Sequence, residues 1–468
     1  MTDTAPRPPL LATWQAHLQQ SVPAGSLQVW RVLFGLLLAG ALVRTAYQGW
    51  LEQLYLTPQF HFQFLGLGWL PQLQGVALYG LVAVLVVLAL CLAAGWHARK
   101  AAGLFALGFL WLEAQDVSNY LNHYWLVTLL AGLCAVVPWQ QAKATGRVPR
   151  WVLWLLRAQI ALVYTHAGLA KIQPDWLLHG QPLGIWLAAR ADLPLIGPWL
   201  AIPQTALVFA WCGMLYDSSI AWLLLWPRTR LLAMGLVVAF HTMTHLLFNI
   251  GIFPLLMTLN ATLLLAPDWP QQLLQRLGVG PAAPHGERIV LPTVVVSRRS
   301  WVPLALAALF VLVQALVPLR HFAVSDNVLW DEAGMRWSWK VMLREKHGSV
   351  QFRVAIPALA KPGQPVPQLE VSPTRWLDSH QEREMASQPD LILQLAQHIG
   401  RDFAARGYGQ VAVYADAVAS LNGRPPARLI DPQTDLTQVP DTLGRRPWVP
   451  PAPNGPPLPL RTSVLALR

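Results

Sequence analysis

The sequence predicts a polytopic α-helical membrane protein with a β-rich domain after its last span. Three observations carry this. Hydrophobic residues make up 54% of the chain against 12% charged, a balance that a water-soluble surface does not tolerate. Apolar stretches near twenty residues, the length that crosses hydrocarbon as a helix, recur through the first two thirds. From about Arg320 the texture changes to polar sequence with period-two alternation.

Residues 1–26 are Pro-rich and polar, with a weakly amphipathic stretch and no cleavable signal-peptide pattern, and are expected in the cytoplasm. Nine spans follow at roughly 27–47, 75–95, 101–116, 122–138, 151–171, 203–226, 231–248, 251–267 and 301–318, so the transmembrane domain is expected over 27–318. Arg99, Lys100, Lys143, Arg147, Arg150, Arg228, Arg230, Arg276, Arg288, Arg298 and Arg299 then fall in alternate loops on one side. Cytoplasmic loops retain basic residues, so that side is the cytoplasm. An odd span count puts the C-terminal region outside, across a cell (inner) membrane. Much of the net charge of +11 is this topogenic lysine and arginine, and no nucleic acid is implied. Cys91, Cys134 and Cys212 all lie in apolar spans, so neither a disulfide framework nor a cysteine metal site is indicated.

An extracytoplasmic β-rich domain is expected over 319–445, with a Pro-rich tail over 446–468. Alternation in 335–342 and 350–356 reads as paired strands joined across Glu345 to Ser349. A helix is expected over Ser379 to Arg406. Strands at 410–421 and 427–430 flank Asn422-Gly423, which tolerate positive φ and signal a hairpin.

Polar and ionisable residues gather at the outward ends of the spans: Asp116, Asn122, His123, His166, Lys171, His241, His245 and Asn249. Polar side chains within spans face the bundle interior or a wet cavity, because lipid offers no partners, and a cavity open to the outside is expected there. Lys171 ends the run from Trp151 to Ala170. An amine at the edge of hydrocarbon loses hydration and can serve as a base, or its ammonium can reach the headgroups. His241 and His245 are four apart on one helix, a spacing that suits zinc but lacks the glutamate of zinc-protease helices. Haem between one of them and His123 or His166, or histidines bonded to helix carbonyls, are the other readings. Asp217 and Arg157, at overlapping depths, are expected to form a structural ion pair.

Taken in order, Arg31-Val-Leu-Phe-Gly, Phe60-His-Phe, Asn119-Tyr-Leu-Asn-His-Tyr124, Ala167-Gly-Leu-Ala-Lys171 with Pro174-Asp-Trp176, Phe240-His241, Phe248-Asn-Ile-Gly-Ile-Phe-Pro254 and Trp337-Ser-Trp-Lys-Val-Met342 resemble the vitamin K-dependent γ-carboxylase family and its bacterial HTTM-domain (horizontally transferred transmembrane domain) relatives. Ala386-Ser-Gln-Pro-Asp-Leu-Ile-Leu-Gln394 and Ser420-Leu-Asn-Gly-Arg-Pro425 resemble the bacterial branch. The resemblance implies that a reduced naphthoquinone is deprotonated by a lysine and reacts with O2. The product is a base strong enough to take a glutamyl γ-proton, after which the carbanion captures CO2 and the quinone leaves as epoxide. It implies Lys171 as base and His123 as the residue holding or protonating the reacting species. Asn122, His166, His241, His245, Trp339, Val341 and Met342 would line the quinone or substrate site, with no metal. Two departures stand out: Ala170 replaces a second lysine beside Lys171, and the soluble region is shorter than in animal members. They leave two readings, an enzyme that carboxylates peptide glutamate or only epoxidises a menaquinol, and a non-catalytic quinone- or haem-binding redox or partner protein. A Soret band in the purified protein would favour haem.

Overall fold

The computed structural model describes residues 10–279 and 301–458. Arg288, Arg298, Arg299 and the end of the Pro-rich tail lie outside the described residues. Each of the nine apolar segments contains a helix: α2 (Gly25–Tyr47), α3 (Val76–Ala94), α4 (Ala98–Glu113), α5 (Asn122–Cys134), α7 (Arg150–Ala170), α8 (Pro203–Leu225), α9 (Arg230–Leu247), α10 (Phe253–Ala261) and α11 (Trp301–Leu316). Among the described residues six helices are long and apolar enough to cross a membrane, α11 being counted with its helical continuation to Val324. The other three segments are shorter. At about 1.5 Å per residue the 16-residue α4 spans about 24 Å, below the roughly 30 Å of a hydrocarbon core. α5 bends by 63° into α6 (Trp139–Thr145) across Pro138, and the bent pair counted as one span would raise six to seven. A short helix, α1 (Leu10–Gln19), precedes the bundle.

Small residues set the closest helix crossings. A Cβ on Gly35 would meet the Ala89 carbonyl at 2.5 Å, and one on Gly168 would meet the backbone nitrogen of Ser218 at 2.6 Å. α2 therefore lies directly on α3, and α7 directly on α8. At the end of the bundle that carries Arg99 and Lys143, β1 (Ser21–Pro23) pairs antiparallel with β2 (Arg147–Pro149).

The soluble part is a four-stranded antiparallel sheet, order β4-β3-β5-β6, built from β3 (Lys346–Ala355), β4 (Gln368–Val371), β5 (Ala412–Leu421) and β6 (Ala427–Arg428). Asn422 and Gly423 turn the chain with φ of 50° and 81°, as the hairpin signal requires. The single helix expected over Ser379 to Arg406 is two: α12 (Ser379–Ser387) and α13 (Pro389–Phe403). Pro389 cannot continue the first, so Gln388 is extended and the second starts on the proline. α13 buries Leu391, Ile392, Leu395, Ala396 and Ile399 in the same core as Phe352, Val413 and Ala415.

The expected strand at 335–342 does not form, and β3 pairs with β4 and β5 instead. The alternation of that segment reflects burial: Trp339 lies in the core of the bundle, while Met335 and Met342 pack against the core that includes Phe352 and Val413. The backbone N–H of Trp337 donates to the Tyr120 hydroxyl at 2.8 Å, and Arg320 donates to the carbonyl of Arg336 at 2.5 Å. With those groups satisfied by the bundle, positive φ at Trp337, Trp339 and Met342 breaks any strand register.

Side chains join the two parts. Gln381 donates 2.7 Å bonds to the Phe60 carbonyl and to Asp116, and Gln394 bonds both backbone groups of Gln63. Asp116 is thus a fully buried interdomain anchor.

Candidate active site

Lys171 caps the C-terminus of α7. Its Nζ lies 2.7 Å from Oδ2 of Asp217 and 3.3 Å from the Ala167 carbonyl, with the ring of Trp176 5.2 Å away. Both members of the pair are buried. The crossing of Gly168 on Ser218 makes this possible, since it brings the residue before Ser218 against the last turn of α7.

The expected pair of Arg157 and Asp217 is therefore absent. Arg157 sits 14 residues before Lys171, about 21 Å down the helix axis. Its guanidinium donates instead to the carbonyls of Leu263 at 2.8 Å and Leu265 at 2.5 Å, past the end of α10. Carbonyls at a helix C-terminus lack intrahelical partners, and a cation there satisfies both hydrogen bonding and the helix dipole.

Two cavities lie beneath the soluble domain rather than one. The smaller, about 240 Å³, is lined by Lys171, Asp217, Tyr164, Trp176 and His241 among mainly apolar side chains. Tyr164 shares a 3.2 Å hydrogen bond with Nε2 of His241, whereas the buried Nδ1 of His241 has no partner among the described residues. The larger, about 510 Å³, holds Asn122 and His123 with Arg44, Glu113, Asn249, Lys340, His380 and Glu384. Ile250, Phe253, Val341 and Met342 line both and form the wall between them. The Phe253 ring stands 5.9 Å from His123 on one side and 6.3 Å from His241 on the other.

The expected residues are thus sorted by the wall. Lys171 and His241 share the smaller chamber, Asn122 and His123 the larger, and Val341 and Met342 belong to both. Trp339 lines neither and is packed in the core of the bundle. His245 is exposed, because one face of α9 buries His241 and Thr244 while His245 turns outward. His166 is buried and directed towards Ala315 of α11, outside both chambers. A haem held by His123 and His241 would need the space that Phe253 fills. Among the described residues no three histidine, cysteine or carboxylate side chains are grouped to hold a metal ion.

Sequence reasoning missed Asp217 as the partner of Lys171, and missed Tyr164 and Phe253. Tyr164 was within reach, since it lies seven residues before Lys171 on the same helix face. Outside the spans, burial brings the Lys340 amine down to about 8. It also pushes the Tyr120 hydroxyl well above its usual range, against hydrogen bonding to Trp337.

Residues 19–269 match the model of the HTTM domain, and residues 299–455 match that of the vitamin K-dependent gamma-carboxylase, lumenal domain. No solved structure matches the chain. The first match ends before α11 and the second begins just ahead of it, and together they take in both chambers and the wall between them: the chain is an HTTM-containing protein of the vitamin K-dependent gamma-carboxylase family.

Proposed function

We propose that this is a multi-pass enzyme of the cell (inner) membrane, with nine segments embedded, a cytoplasmic N-terminus and an external soluble domain. It would use a reduced vitamin K or menaquinol-type naphthoquinone, O2 and CO2 to carboxylate glutamate in a peptide or protein. The observation that carries the reading is the Lys171 amine at the wall of an apolar chamber, 2.7 Å from a buried carboxylate. The chamber suits a naphthoquinol: its walls are apolar, its polar groups gather around Lys171 and His241, and His241 Nδ1 is a buried polar atom without a partner among the described residues.

Lys171 and Asp217 act as a unit in this reading. Desolvation makes separated charges costly, so the neutral arrangement, amine beside carboxylic acid, competes with the ion pair. In that arrangement the amine lone pair takes the quinol hydroxyl proton, and Asp217 holds Nζ at the wall. The reduced naphthoquinone supplies the rest of the driving chemistry, passing its electrons to O2 to generate the base that removes a glutamyl γ-proton, and ends as epoxide with water formed. His123, across Phe253 in the larger and more polar chamber, faces the space for the glutamyl side chain and CO2. Ile250, Phe253, Val341 and Met342 line both chambers, so the base made from the quinol and the glutamyl γ-proton must meet at this wall.

The test is incubation of purified protein with reduced vitamin K, bicarbonate and a glutamate-containing peptide, with mass spectrometry of peptide and quinone. A carboxylated peptide together with epoxide is expected. Unchanged quinol in the presence of O2 would overturn the reading.

A further inference from the structure

At the end of the bundle opposite the soluble domain, two adjoining hollows of about 440 and 420 Å³ share Gly95, Trp139 and Lys143. They lie between α2, the turn from α3 to α4, and α6. Arg31, Arg99, Lys100 and Lys143 line them, and among the described residues no acidic side chain does. Two of these cations are tied down: Arg31 donates to the Ala93 carbonyl at 2.9 Å and lies over the Trp139 ring, and Arg99 donates to the Ala135 carbonyl at 2.9 Å. Lys100 and Lys143 are exposed and make no hydrogen bond or ion pair among the described residues. Loop charge for orientation requires basic residues near the ends of spans. It does not require four of them around one concavity floored by a tryptophan.

From the hollow the outer surface runs on as apolar side chains of α3 and α4, with Leu90, Leu104 and Leu107 exposed, and Trp96 beside them in the intervening turn. A ligand that fits both halves has an anionic phosphate at one end and hydrocarbon at the other. We propose that these hollows bind the headgroup of an anionic phospholipid, with Lys100 and Lys143 pairing with its phosphate and its acyl chains lying along Leu90, Leu104 and Leu107. A free phosphate would use the lysines and leave the apolar surface uncovered, so the lipid is the better match. The site stands apart from the two chambers and from whatever reaction they perform.

Native mass spectrometry of the full chain in detergent tests this, with phosphatidylglycerol, phosphatidylcholine and inorganic phosphate as separate additions. Phosphatidylglycerol is expected to be retained over phosphatidylcholine by about tenfold or more. Lys100→Gln with Lys143→Gln should abolish that preference, because basic residues near the membrane surface are what attracts an anionic headgroup. Arg228→Gln with Arg276→Gln, neutralising two exposed residues away from the hollow, should leave it unchanged. Because loop charge also directs insertion, a second measurement uses the unaltered protein. An amine-reactive reagent should label Lys100 and Lys143 less when phosphatidylglycerol is present, and phosphatidylcholine should not protect them. Equal retention of both lipids, an unchanged preference in the lysine variant, an equal loss in the arginine control, absence of protection, or displacement by inorganic phosphate would each overturn the proposal.

Discussion

Asp175 accepts hydrogen bonds from both terminal nitrogens of Arg424, at 2.6 and 2.7 Å, four residues beyond Lys171. Asn422 adds a 3.0 Å bond from the turn between β5 and β6. The bidentate pair fastens the soluble sheet to the segment that leaves α7, so the position of the lysine depends on the domain above it. Arg424→Met should cost about 3–5 kcal/mol, because it strands a buried carboxylate. Asp175→Asn with Arg424→Met should be milder than Arg424→Met alone. Thermal unfolding of the four proteins in the cycle measures this, and equal losses in single and double variants would dismiss the pairing.

The same contact has a pH signature. Burial would raise Asp175, but the bonds from Arg424 and Asn422 outweigh it and leave the carboxyl below its usual value. Asp390, buried against Arg336 and Arg446, is held well below the carboxylate range in the same way, its burial outweighed by the two guanidiniums. A folded value below the unfolded one means that the stabilisation is complete above the unfolded pKa and is lost as pH falls through the folded one. Midpoints of unfolding should therefore be flat near neutrality and drop below about pH 4. Asp175→Asn should flatten part of that drop, and an identical acid limb in this variant would exclude Asp175 as a contributor.

Arg157 and Asp217 should behave as independent sites. Arg157→Met leaves the Leu263 and Leu265 carbonyls without their donor, at about 1–3 kcal/mol for each buried group, whatever stands at position 217. A double-mutant cycle between them should be additive within about 0.5 kcal/mol, whereas the cycle between Lys171 and Asp217 should show strong coupling. Coupling of the first pair would contradict the separation of about 21 Å along α7.

The helices were legible because apolar length is a local property: each of the nine apolar segments contains one. The partner of Asp217 was not, because depth counted along separate spans takes no account of where they cross, and Gly168 on Ser218 sets that crossing. The segment from Met335 to Met342 misled for a related reason. Alternating Trp and Met residues mark burial without saying against what, and here the bundle supplies the partners that a strand would have. His123 and Lys171 lie in adjoining chambers, and the Phe253 that stands between them opens α10, a position that counting along the spans of α5 and α7 does not reach.

Gly168→Val tests the crossing directly. A Cβ there would meet Ser218 backbone at 2.6 and 2.9 Å, so α7 and α8 must separate and lengthen the contact of Lys171 with Asp217. Quinol turnover should fall by at least about tenfold, the usual penalty for misplaced reacting groups being larger still. The same substitution at Gly132, where a Cβ has open space, should leave turnover near normal. A Gly168→Val protein with unchanged turnover would mean that the pair does not depend on this close approach.

Lys171 is the proposed base. Lys171→Ala should abolish quinol-dependent epoxidation while quinol binding persists, since the apolar walls that hold the ring are untouched. It also leaves Asp217 without its partner, so the matching variant Lys171→Ala with Asp217→Asn should recover stability but not turnover. Small exogenous amines should restore part of the rate, because they replace the base but not its positioning. Lys171→Arg should keep the ion pair with Asp217 and remain inactive, because a guanidinium does not give up its proton in a protein. Stability and catalysis then part company across the three variants: arginine keeps the fold without the reaction, and alanine with amine regains some reaction without the pair. Near-normal turnover in Lys171→Arg would show that the cation serves only to neutralise Asp217, and the proton would have to be taken by another group.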